Sequence, residues 1–363
     1  MLRNGTAKRC SHEALRWLAV VMLCVVTLIS SGSGSLVAEA SSSTLSYWTD
    51  SAPGKTQLQS YMAQITDRNS QYYIPVEDRI AVFDLDGTLC CETDPVYFDH
   101  QLLVYRVFGD PTYRDKATEF EKATALKVVE FANTGVYPEP LNVEHGQAIA
   151  SAFSGMTVDE FKAYVKAFAN TPMSRYSGMT KGEAFYQPMV QVINYLQDND
   201  FTVYVVSGTD RLILRGLLED NLPIPSNQII GSDETIVATN QNGEDGLTYQ
   251  LTDDDSLVLG GEFLIKNLKM NKVTAIMQEI GKQPVLSFGN SSGDYSMAKY
   301  VVTDNKYQSL AFMLCCDDTE RENGKISSAE KMYEKCAEEG WIPVSMKNDW
   351  TTIYGAGVTR IQQ

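Results

Sequence analysis

The chain has 363 residues, and a prior of roughly 150 residues per domain gives two domains. At 44% hydrophobic and 21% charged residues it is globular in composition, which excludes a disordered polymer. A formal charge of −16 argues against a nucleic-acid partner, which demands Lys and Arg patches.

Arg3, Lys8, Arg9 and Arg16 precede an apolar run over residues 17–29. Small residues follow and end in Ala38-Glu39-Ala40. This is the layout of a secretory signal, with the cut near Ala40. The run is short for a spanning helix, so no stable membrane anchor is expected and the chain is expected outside the cytoplasm, secreted or periplasmic. Removing residues 1–40 leaves Cys90, Cys91, Cys315, Cys316 and Cys336. No Cys-x-x-Cys pair exists, which argues against a zinc site. Disulfides are permitted in that compartment, but pairing is not legible from spacing.

Residues 41–75 form a Ser-rich tether and a short helix, with Leu58, Tyr61, Met62 and Ile65 at helical spacing. Ile80-Ala81-Val82-Phe83 is a short apolar run of the kind that makes a buried parallel strand. It leads into Asp84-Leu85-Asp86-Gly87-Thr88. Asp-Gly alone is a common turn pair, but it leaves the second carboxylate, Asp84, unexplained. Strand ends of this kind are where open α/β sheets bind ligands.

Residues 92–182 show helical periodicity near 97–108, 114–133, 144–153 and 157–169, separated by Gly and Pro turns. Thr157 and Glu160 have capping-box spacing. About ninety residues are too many for a connecting loop. A helix stripe at Met189, Val192, Ile193 and Leu196 precedes a second apolar strand over residues 201–206, closed by Ser207-Gly208-Thr209. Residues 228–265 read as short strands with turn signals at Asn242-Gly243 and Asp245-Gly246. Lys266, Lys269 and Lys272 follow, and Lys272 directly precedes the apolar stripe Val273, Ile276, Ile280. A third strand over residues 284–288 ends in Gly289-Asn290-Ser291-Ser292-Gly293-Asp294, and residues 309–314 make one more. From Asp317 onward the chain is mixed polar and helical, with Trp341, Trp350 and Tyr354 to bury.

Asp84-x-Asp86-Gly87-Thr88 resembles the first motif of the haloacid dehalogenase-like hydrolases in their phosphatase branch. Ser207 after a strand, Lys272 at a helix start and Gly289-Asn290-x-x-x-Asp294 resemble the remaining motifs, in the family's order. The likeness spans about residues 78–315. It departs at Asn290, where the family pattern has an acid. It implies a Rossmann-like parallel sheet with an inserted helical cap, as in the phosphoserine phosphatase-like and phosphorylcholine phosphatase-like members. The implied organisation is a core of 76–91 and 183–316, a cap of 92–182 and an extension of 317–363. The resemblance also implies Mg²⁺ held by Asp84, Asp86, Asn290 and Asp294. Asp84 would be the nucleophile, Asp86 the proton donor and Lys272 a source of positive charge. Ser207 and Gly208 would hold the phosphoryl group of a small phosphorylated metabolite. Glu92, Asp94 and the aromatic residues of the cap suit a phosphocholine-like head group. A phosphotransferase, or a secreted protein that only binds a divalent ion, is the alternative.

Overall fold

The computed structural model describes residues 44–361. The expected leader and its cleavage near Ala40 lie outside the described residues. Among the described residues no helix is long and apolar enough to cross a membrane, and the five cysteines are unpaired.

Helix α1 (Pro53–Thr66) buries Leu58, Tyr61, Met62 and Ile65, the stripe seen in the sequence. Strand β1 (Ile80–Phe83) is buried at every position, as a strand covered on both faces must be. Four α-helices make up the segment that follows. They are α2 (Phe98–Val104), α3 (Glu119–Thr134), α4 (Leu141–Ala152) and α5 (Val158–Ala169). Capping boxes open α3 at Thr118–Glu121 and α5 at Thr157–Glu160. A two-residue strand, β2 (Tyr176–Ser177), and α6 (Gln187–Gln197) lead back to the sheet.

The sheet then takes β3 (Thr202–Asp210), α7 (Arg211–Leu218), β4 (Ile229–Ala238), β5 (Leu257–Ile265), α8 (Met270–Glu279), β6 (Leu286–Gly289), α9 (Tyr295–Val302), β7 (Leu310–Cys315), α10 (Ile326–Glu339) and β8 (Ile342–Ser345). Its seven strands run in the order β5-β4-β3-β1-β6-β7-β8. All neighbours are parallel except β4 and β5. This is a Rossmann-like α/β fold with β1 at its centre. Phe83 and Phe288 stack at 4.2 Å across β1 and β6, and Phe288 stacks on Phe312 of β7.

Two glycines let the inserted helices pack closely, one against the sheet and one against α7. A Cβ at Gly146 of α4 would stand 2.4 Å from the Phe263 ring of β5, and one at Gly216 of α7 would meet Val165 of α5 at 2.9 Å. The segment read as short strands is instead one antiparallel pair, β4 and β5, joined by a long connection. Asn242 and Gly243 both have positive φ within it, as a tight turn requires.

The C-terminal segment adds an edge strand the sequence reading did not assign. Pro343 sits inside β8. Proline lacks the ladder donor and is tolerated on an edge strand. Trp350 packs edge-on against Trp48 at 6.0 Å, joining the two ends of the described chain.

Candidate active site

β1 delivers Asp84 to the end of the sheet, where its N–H donates to Phe288 O. The chain then curls so that Leu85 O accepts from Thr88 and Leu89. Gly87 carries φ +77°, and a Cβ there would fall 2.0 Å from Asn290 Nδ2. Only glycine serves at that point. Gly289 has a similar duty, because a Cβ would meet Asp294 Cβ at 2.6 Å.

Lys272 joins the ends of the two motifs. Its ammonium donates to Asp84 Oδ1 at 2.5 Å and to Asp294 Oδ1 at 2.7 Å. The side chain is fully buried. Burial alone would lower its pKa, but the two carboxylates outweigh it and raise it. Of the three candidate lysines, Lys272 is thus the one paired with Asp84. Lys266 and Lys269, earlier in the chain, line the same cavity. Asp294 Oδ2 accepts from the N–H groups of Asn290 and Ser291, which fixes the loop after β6.

The cavity at these strand ends has a volume of about 290 Å³. Asp84, Asp86, Gly208, Thr209, Lys272 and Asp294 form its sheet side. Glu92, Tyr97, Asp99, His100, Tyr137 and Asn142, from the stretch between β1 and the start of α4, line it as well. Ser207 is fully buried, and its Oγ accepts from Thr209 N–H. Thr209 Oγ1 donates to Asp86 Oδ2 at 2.9 Å. Asn290 is not part of the cavity lining. Its Oδ1 accepts from Thr88 Oγ1 and its amide bonds Glu92. Asp94 lies elsewhere and accepts from the N–H groups of Ser174 and Arg175. Arg211 pairs with Asp233 and Glu279.

The acids crowd one another. Burial and then the charge of Asp294 push Asp84 up to about 7, while Lys272 acts the other way. Burial, then Asp99 and Asp84, hold Asp86 well above the usual carboxylate range. Burial and then Asp84 push Glu92 up to about 7.

A family model described as haloacid dehalogenase-like hydrolase matches residues 81–299, the interval that carries all these groups. The chain belongs to this family. No curated protein matches it. Among solved structures it is similar to a functionally unknown protein from Anaerococcus prevotii, at 14% identity over 80% of this chain and 90% of that one, with a TM-score of 0.48. It is similar to cytosolic 5'-nucleotidase IIIB bound to cytidine, at 12% identity over 81% and 87%, with a TM-score of 0.48. A phosphoserine phosphohydrolase-like protein from Francisella tularensis is similar at 12% identity over 70% and 92%, with a TM-score of 0.37.

Hydrolases of this family generally use Mg²⁺. The residues fit such an ion. Asp84, Asp86, Glu92 and Asp294 line one cavity, where Lys272 pairs with Asp84 and Asp294. Surplus carboxylate oxygens of this kind are what a hard cation takes.

Sequence reading missed Thr209 as the partner of Asp86, and missed Tyr97, Asp99, His100 and Tyr137 in the cavity wall. Thr209 stands two residues beyond Ser207, so the motif itself pointed to it. The other four carry no local signal, because docking of α2 and α4 on the sheet brings them in.

Proposed function

We propose that this hydrolase is a phosphatase acting on a small phosphomonoester through an aspartyl-phosphate. The carrying observation is the pair Asp84 and Asp86 at the end of β1, facing one cavity with Lys272 and Asp294. Asp84 attacks phosphorus and the ester P–O bond breaks. Asp86 gives its proton to the leaving alkoxide. Its raised pKa keeps that proton available at neutral pH. Asp86 then takes a proton from the water that attacks the aspartyl-phosphate, which releases phosphate and restores Asp84. Thr209 holds Asp86 in place through both steps. Gly208 and Thr209 face the phosphoryl group, with Ser207 fixing their loop. Asp84, the Asp86 backbone carbonyl and Asp294 would hold Mg²⁺, with Asn290 next to them. The ion would offset the repulsion between Asp84 and an anionic phosphate.

The cavity volume favours a small metabolite. Glu92 with the Tyr97 and Tyr137 rings of the same cavity supports an amino-alcohol head group of the phosphocholine or phosphoserine kind. The basic, apolar and small-residue order of residues 1–40 supports export with cleavage near Ala40.

The test is phosphate release from a panel of small phosphomonoesters, with and without Mg²⁺. Asp84→Asn should abolish release, leave the circular dichroism spectrum unchanged and yield no acid-stable phosphoenzyme. Wild-type turnover by Asp84→Asn would remove Asp84 as nucleophile. Transfer of phosphate to an added alcohol, in place of release, would make the enzyme a phosphotransferase.

A further inference from the structure

We propose that Asp99, His100 and His145 form a second metal site, of the zinc class, in the wall of the same cavity. Helix α2 supplies Asp99 and His100, and α4 supplies His145. All three are at most 4% exposed. Asp99 Oδ1 is 2.7 Å from His100 Nδ1, and Oδ2 is 3.8 Å from His145 Nδ1. One carboxylate therefore faces a nitrogen of each imidazole. His145 Nε2 lies 3.2 Å from the Asp99 carbonyl oxygen. A nitrogen in that position donates, which leaves the lone pair on Nδ1, the side toward the carboxylate. Metal-bound histidines have this arrangement, with the far nitrogen donating to a backbone carbonyl.

A hydrogen-bonded core cluster does not account for the whole group. Asp99 and one histidine would satisfy each other. The second imidazole is instead stacked on the first, with centroids 4.0 Å apart and planes within 10° of parallel. His100 Nε2 is buried without a partner. An unmatched buried nitrogen costs about 1–3 kcal/mol. The cluster has more ligating atoms than its hydrogen bonds use.

One donor atom from each residue lies within 4.8 Å of the other two. Tetrahedral zinc with bonds of about 2.0–2.1 Å needs donors about 3.3 Å apart. Loading therefore brings His145 closer to Asp99, now 3.8 Å away, and replaces the 2.7 Å hydrogen bond between Asp99 and His100 with two metal bonds. Two imidazoles and one carboxylate select Zn²⁺, Co²⁺ or Ni²⁺ over Mg²⁺, which prefers the all-oxygen acids at the sheet end. Three protein ligands leave a fourth position for water. Asp99 and His100 line the cavity, which gives the ion its way in. The missing Cys-x-x-Cys pair is no obstacle, since this site uses no sulfur. The ion ties α2 to α4.

The experiment is calorimetric titration of Zn²⁺ into the full chain under excess Mg²⁺, with Co²⁺ followed in the visible spectrum. One equivalent should bind, and Co²⁺ should give the intense d–d bands of a tetrahedral site. His145→Ala and Asp99→Asn should each weaken Zn²⁺ by at least about 100-fold. Asp84→Asn should leave it in place. His145→Cys guards against a misfolded alanine variant, because it should keep Co²⁺ and add a thiolate charge-transfer band. The proposal is overturned by no Zn²⁺ binding under Mg²⁺, by binding that survives both His145→Ala and Asp99→Asn, by loss in Asp84→Asn, or by no thiolate band in His145→Cys. None of these readouts uses phosphate release, so their failure leaves the phosphatase reading standing.

Discussion

Lys272→Met tests whether one buried ammonium holds the two catalytic motifs together. The substitution keeps the length of the side chain and removes its charge from between Asp84 and Asp294, at 2.5 and 2.7 Å. Removing one partner of a buried ionic group costs about 3–5 kcal/mol, because the other charges stay buried and unpaired. Protonation can relieve that cost. Asp84 already stands at about 7 against an ordinary 3.8, and without Lys272 its folded pKa rises further. A carboxylate with a raised folded pKa binds more protons folded than unfolded. Stability therefore falls as pH rises from the unfolded value to the folded one. The deficit of Lys272→Met against the parent should be small at pH 5, clear at pH 8 and still growing above it. Below the carboxylate range it should vanish, since the parent then keeps a buried ammonium with no anion. Melting followed by circular dichroism should show a loss on the order of 10 °C at pH 8. Mg²⁺ should restore part of it by replacing the lost positive charge. An unchanged melting temperature at pH 8, or a deficit independent of pH, would refute the reasoning.

Glu234 on β4 is buried with neither carboxylate oxygen partnered among the described residues. Burial and then Asp210 and Asp233 push it up to about 9. Stability should drop by several kcal/mol as pH rises from about 4.5 to 9, at roughly 1.4 kcal/mol per unit. Glu234→Gln should flatten that slope and be the more stable chain at pH 8, and parallel denaturation curves for the two chains would contradict it. Asn290→Asp removes the amide that bonds Glu92 and sets a carboxylate in its place. Without Mg²⁺ it should lose about 1–3 kcal/mol at pH 8 and less at pH 5, because Glu92 is driven further up. Mg²⁺ should then raise its melting temperature more than the parent's and lower the half-saturating concentration several-fold. Equal Mg²⁺ shifts in the two chains would show that position 290 does not face the ion.

The core strands were legible because β1, β3 and β6 are short apolar runs, each closed by Gly, Ser or Asp. Lys272 was legible from the apolar stripe that follows it, whereas its double pairing was not. That contact joins residues 84, 272 and 294, and no local periodicity encodes it. β8 escaped for another reason. Four residues with a proline inside carry almost no strand signal, and the strand exists because α10 returns it to the edge beside β7. The cavity wall depends on Gly146 admitting Phe263, a tertiary fit that looks in sequence like an ordinary helix glycine.

Charge connects the two halves of the site. Asp84, Asp86, Glu92, Asp99 and Asp294 line the cavity with Lys266, Lys269 and Lys272. Five carboxylates against three ammoniums leave −2 if all are ionised, and a phosphomonoester arriving there is itself an anion. Burial and mutual repulsion raise the pKa values of Asp84, Asp86 and Glu92 together, so protons relieve part of that charge. Attack by anionic Asp84 on a phosphate still sets like charge against like. A divalent cation at the sheet end supplies the missing charge under the proposed reading. The proton on Asp86 and the need for the ion then share one physical origin, which is the crowding of carboxylates around β1. Substitutions that thin the crowd, such as Glu92→Gln, relax both together.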